Sequence, residues 1–277
     1  MKDRIKDMIQ SADFILIGVG EEFDGERYLK QMPQYQEARM QLETTGQDWL
    51  IPSLNRYFTD KMDEDTCKIK HALSNLAALV NDKNYFIVSI TTHDYVWNAG
   101  FKEDRVVAPC GGSLKMQCKN GGSCTDAPML LREEEQVAII EYIEKLLIRD
   151  AQMPCESNQD VDAHEIFDLG VCPTCGSNRI LNNIYTEKYD ERGYIDQWQK
   201  YTKWLQGTLN KKLCILELGV GMQCPSVIRF PFEKIGYFNQ KADFIRVNKN
   251  LYQMTEELKE KGISISENAV DWLASMW

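Results

Sequence analysis

Four cysteines, Cys118, Cys124, Cys172 and Cys175, fall in two close pairs, C-x5-C and C-x2-C. The second pair, Cys172-Pro-Thr-Cys175, is followed by Gly176 and has the form of a knuckle. In such a turn two thiolates face one tetrahedral Zn²⁺ while backbone amides bond the sulfurs. A lone C-x2-C also suits a redox pair, but a second close pair favours structural zinc held by all four residues. Four ordinary buried thiols, or a site that has lost its metal, is the plainer alternative. The chain has nine cysteines, an odd number that argues against a disulfide framework and leaves metal binding, catalysis or plain burial to explain them.

Three further features could carry chemistry. Gly18-Val19-Gly20 follows an apolar run and would, in a dinucleotide fold, be the turn where backbone meets pyrophosphate; otherwise it is a tight turn closing a strand. Glu21 and Glu22 come next, and carboxylates there repel a diphosphate unless they point away. Cys110, before Gly111-Gly112, with His93 upstream, allows a Cys-His nucleophile; the alternatives are a small buried residue and a polar loop histidine. His71 and His164 carry no surrounding signal and read as surface or satisfied histidines.

Those residues need elements to hold them. The runs Phe14 to Gly20, Tyr85 to Asp94, Leu213 to Gly221 and Asp243 to Asn248 are apolar and end in small or polar residues, as buried parallel strands do when they open into ligand loops. Helical spacing relates Leu73, Leu76, Ala77 and Val80; Val137, Ile140, Ile143 and Leu147; and Trp198, Tyr201 and Leu205. Strands alternating with helices predict an α/β fold, a Rossmann-like doubly wound parallel sheet with its crevice at the strands' carboxyl ends. The expected organisation is a large domain over 1–116 and 186–277 and a small inserted zinc module over 117–185, with a polar loop from Asp150 to Glu165. An irregular stretch from Phe23 to Pro52 is expected to cover the crevice as a lid.

Composition bounds the function. Of 277 residues 43% are hydrophobic and 27% charged, values of a folded globular chain rather than a disordered one. No run is apolar enough to span a bilayer and the start is unlike a signal peptide, so a cytoplasmic protein without membrane contact is expected. The net charge is −10 and the basic residues are scattered, which disfavours nucleic acid as a partner.

The order of motifs, strand-GxG, ITTHDYVWNAGF, APCGGSLKMQC, CPTC, LELGVGMQCPSVIRFPFEKI and RVNKN, resembles the sirtuins, and within them the macrodomain-linked bacterial class. The likeness spans about Ala12 to Tyr252. It is strongest over Leu216 to Ile235 and weak over Phe23–Asp82 and Thr125–Val171. It implies a Rossmann-like domain, a zinc ribbon, and NAD between them, used for lysine deacylation or protein ADP-ribosylation. By position it implies Gly18 and Gly20 at the start of the NAD loop, Gly219 and Gly221 on the adenosine side and Asn248 at the ribose. The zinc ligands carry over as the four named cysteines, the first pair more widely spaced than usual.

The departures fall on the chemistry. Glu21, Glu22 and Asp24 stand where the class has small and hydroxyl residues. Thr91 and His93 stand where it has the Asn and Asp of the ribose motif, unless a one-residue slip gives Asp94 the acid's place. Cys110 replaces the residue that activates the ribose. Three readings follow. One is an NAD-dependent deacylase or ADP-ribosyltransferase with an altered site, acting on a protein substrate with a macrodomain protein as a further partner. Another is an inactive binding or regulatory module whose acidic cleft takes a cationic segment. The third is a different enzyme using Cys110 and His93. Whether Glu21 and Glu22 face into the crevice separates the first two; the Cys110–His93 geometry tests the third.

Overall fold

The computed structural model describes residues 2–152 and 166–275. His164 and most of the expected polar loop over 150–165 lie outside the described residues. Strands run in chain order as β1 (Phe14–Val19), β2 (Tyr85–Ser89), β3 (Val106–Val107), β4 (Gly111–Cys118), β5 (Met129–Leu130), β6 (Arg179–Asn183), β7 (Leu213–Leu218), β8 (Ala242–Val247) and β9 (Gly262–Ile265). They divide between two compact units, one of residues 1–25, 62–110 and 194–277, the other of residues 26–61 and 111–193.

The first unit is built on a six-stranded sheet ordered β3-β2-β1-β7-β8-β9, and every pairing is parallel. The order is that of a doubly wound fold: the chain steps outward from β1 on one side and returns to continue outward from β7 on the other. The four apolar runs expected to be strands are the four central ones. They are continuous because both faces are covered. Ile15, Ile17 and Val19 join Ile87, Leu216 and Val247 in the core beneath helices Lys2–Ser11, Asp63–Val80 and Ala269–Ala274. On the opposite face Phe86 meets Tyr201 and Trp204 of the helix Ile195–Gln206. Beside it Gly18 admits helix Arg229–Phe238, since a Cβ there would lie 2.6 Å from Ile228 and 2.9 Å from Phe232.

The second unit has a three-stranded antiparallel sheet, β5-β4-β6, and the helices Pro33–Thr44, Ile51–Lys61 and Glu133–Gln152. Its limits, 111–193 with 26–61 added, differ from the expected 117–185. The stretch expected as an irregular lid is largely helical, and from residue 26 onward it packs within this unit. Gln47, buried, fastens it there: its amide donates to the Tyr142 hydroxyl at 2.8 Å and its carbonyl accepts from Phe167 N at 2.7 Å. The face expected for the helix Glu133–Gln152 is corrected. Ile139, Tyr142, Ile143 and Leu146 are buried, whereas Val137 and Ile140 are exposed. Among the described residues no helix is long and apolar enough to cross a membrane.

Candidate functional site

At the carboxyl ends of β1 and β7 the chain order reverses, and there the two GxG turns touch. A Cβ on Gly20 would fall 2.3 Å from Val220 Cα, and one on Gly219, whose φ is +64°, would fall 2.7 Å from Glu22 Cβ. A Cβ on Gly221 would meet the Glu21 carboxylate at 2.5 Å. These glycines are therefore required by contacts of the protein with itself. Gly18 is likewise required by its helix.

Glu21 and Glu22 form a single 3-10 turn with Phe23, and both reach across to the neighbouring loops. The Glu21 carboxylate accepts from the amide of Gly221 and, at 2.8 Å, from that of Gln223. The Glu22 carboxylate accepts from Lys249 N at 2.9 Å and Ala269 N at 2.6 Å. Four backbone amides that could have cradled an anion thus hold carboxylates of the chain itself.

The remaining expected residues are similarly engaged. Asn248 is buried; its amide donates to Val220 O at 3.1 Å and its carbonyl accepts from Asn250 N and Leu251 N, an Asx turn. The Thr91 hydroxyl lies 2.7 Å from that of Ser89. His93 is buried, with Nδ1 accepting from Tyr95 N at 3.3 Å, which assigns the proton to Nε2, 2.7 Å from Phe23 O. Asp24 stands beside it at 3.6 Å and accepts from Thr92 N at 3.2 Å. The Cys110 thiol is buried and donates to Cys224 Sγ at 3.7 Å. With both ring nitrogens of His93 directed elsewhere and the Cys110 proton directed at another sulfur, the Cys-His nucleophile finds no support in this geometry. The amides of Gly221, Gln223, Lys249 and Ala269 are thus taken up by Glu21 and Glu22.

Sequence reasoning missed three residues of this region. Cys224, in the loop after β7, is the sulfur partner of Cys110. Beneath the loop, Glu217 and Arg246 are register partners in β7 and β8 and form a fully buried bidentate pair at 2.6 and 3.0 Å. Arg246 also reaches Glu233 at 2.7 Å. Opposite charges inside two otherwise apolar strand runs were the available signal.

In the second unit Cys118, Cys124, Cys172 and Cys175 come together, with all four sulfurs within 4.8 Å of one another. Cys118 and Cys175 are 3.4 Å apart, Cys124 and Cys172 3.7 Å, and Cys124 and Cys175 3.7 Å. Four thiolates about 2.3 Å from a central Zn²⁺ have edges of about 3.8 Å, so the donor set and spacing fit that ion. Backbone supports it: Asn120 N donates to Cys118 Sγ at 3.4 Å, and Gly176, at φ +72°, turns the knuckle.

No protein-family model matches the chain. A protein ADP-ribosyltransferase of Staphylococcus aureus strain Mu50 is 21% identical in an alignment that covers 95% of this chain and 83% of that protein. The crystal structure of a Sir2 homologue–NAD complex has a TM-score of 0.52 at 12% identity, over 100% of this chain and 92% of that one. Sir2Tm bound to a propionylated peptide has a TM-score of 0.50 at 11% identity, over 98% and 94%. By its strand order, its second unit and these likenesses, the chain has the fold of the Sir2 homologues.

Proposed function

We propose that this chain is a member of the sirtuin family, akin to its ADP-ribosylating branch, in which the dinucleotide site is closed by the chain's own carboxylates and the protein serves as a binding or regulatory module. The observation that carries the reading is the double seat of Glu21 and Glu22 on the amides of Gly221, Gln223, Lys249 and Ala269. Closure is supported further by Cys110 and Thr91 at the expected catalytic positions, neither of which presents a base. The module's ligand is a protein segment, in keeping with the peptide bound by one fold neighbour. Zinc held by Cys118, Cys124, Cys172 and Cys175 supplies a structural cross-link in the second unit. The free cysteines suit a reducing, cytoplasmic setting.

A second reading is favoured by the Staphylococcus aureus relative, whose likeness extends over 95% of this chain: an NAD-dependent protein ADP-ribosyltransferase or deacylase with an altered site, paired with a macrodomain protein. Calorimetric titration with NAD decides between them. Absence of heat at micromolar NAD is the expected result. Micromolar affinity in the unmutated protein overturns the closed-site reading and leaves the transferase.

A further inference from the structure

We propose that Cys110 and Cys224 are a hydroperoxide-sensitive dithiol that closes to a disulfide across the mouth of the parallel sheet. The two sulfurs are already in contact at 3.7 Å. A disulfide requires about 2.05 Å, so closure asks a movement of less than 2 Å from loop residues. Cys110 follows β3 and Cys224 follows β7, while β2 and β1 lie between those strands in the sheet. The bond would therefore tie together two loops over the point where the strand order reverses. It would also fasten the loop whose Gln223 amide Glu21 holds.

The two thiols are unequal, as a reacting and a resolving cysteine must be. Cys224 is partly exposed and Cys110 is buried, so an oxidant meets Cys224 first. The Cys110 thiol donates its hydrogen to Cys224 Sγ, and this hydrogen bond lowers Cys224 to about 7 despite its partial burial and the Glu21 charge. The same contact, burial and the nearby acids push Cys110 upward, keeping its proton in place. A thiolate near neutral pH beside a protonated partner is the arrangement that reacts once and is then trapped.

The chemistry balances with a hydroperoxide as oxidant. The Cys224 thiolate attacks the terminal peroxide oxygen, the O–O bond breaks, and hydroxide leaves, giving Cys224 sulfenic acid. The Cys110 sulfur then attacks the Cys224 sulfur and the S–O bond breaks. The departing hydroxide takes the Cys110 proton as water. Two thiols lose two electrons, and with hydrogen peroxide the products are one disulfide and two waters. This inference is independent of whether NAD binds.

The test is oxidation of the full, zinc-replete chain with hydrogen peroxide, followed by peptide mapping. The expected result is a peptide linking Cys110 to Cys224, lighter by two hydrogens and restored by dithiothreitol. In Cys110→Ser a dimedone adduct should appear on Cys224. In Cys224→Ser, a change at the more exposed position that leaves the buried thiol in place, the linked peptide should vanish and Cys110 should stay unlabelled. A linked peptide joining either cysteine to another thiol overturns the proposal. So does preferential dimedone labelling of Cys110, or oxidation of the four-cysteine cluster with Cys110 and Cys224 still reduced.

Discussion

Replacing Glu21 by Ala and Glu22 by Gly removes two carboxylates that together accept four backbone hydrogen bonds. Hydrogen bonds to a charged acceptor contribute about 1.5–3 kcal/mol each, and these side chains are only half-buried, so the lower end applies. The two bonds on each carboxylate share one half-exposed acceptor group, so they are screened by solvent and not additive, which brings the sum to about 2 kcal/mol per carboxylate and about 4 kcal/mol for the pair. Under the proposed closure a dinucleotide binding to the native chain displaces both, which weakens its affinity by about a thousandfold and turns a micromolar site into a millimolar one. The double variant should therefore gain up to about a thousandfold in NAD affinity while losing about 4 kcal/mol of stability. Calorimetry reads the first and urea unfolding the second. Glu22→Gln, which keeps an acceptor without charge, should move both quantities part of the way. A variant that loses stability yet gains no affinity would refute the reasoning, because the amides would then be free and still not sought by the ligand.

Protein purified without chelator should contain about one zinc per chain, and Cys172→Ser should lower that content and loosen the second unit, as elemental analysis and near-ultraviolet dichroism would show. Arg246→Met leaves Glu217 buried and short of its bidentate partner, at an expected cost of about 3–5 kcal/mol in urea unfolding. Alkylation of Cys224 by iodoacetamide should rise with pH through about 7, because the thiolate is the nucleophile and its range is lowered from the ordinary thiol's; Cys110 should remain unreactive. Gly111→Ala should destabilise the second unit, since φ is +65° and the new Cβ would lie 2.2 Å from Asn182 O. A melting temperature equal to that of the parent would contradict it.

The parallel strands were legible because burial on both faces leaves an uninterrupted apolar run, as in Phe14–Val19 and Leu213–Leu218. The metal knuckle was legible because its geometry is local: four residues and a glycine specify it. The inward face of Glu133–Gln152 was not. Ile139 and Ile140 are adjacent, so apolar residues lie on two sides of that helix, and packing against Pro33–Thr44 and Ile51–Lys61 chooses between them. Nothing local in residues 26–61 states which core they join; Gln47 finds Tyr142 and Phe167 only after the chain has folded back.

The acids after the first GxG turn mark the limit most clearly. The sequence by itself determined that carboxylates follow the turn and that they would repel a diphosphate there unless they point away. Only the tertiary structure decided that those carboxylates have partners. The sheet order sets β1 beside β7 and brings amides some 200 residues away within hydrogen-bond reach of Glu21, and Glu22 finds its own on Lys249 and Ala269. A backbone amide carries no side-chain signature, so its partner cannot be read from residue types, and only the folded path of the chain supplies it.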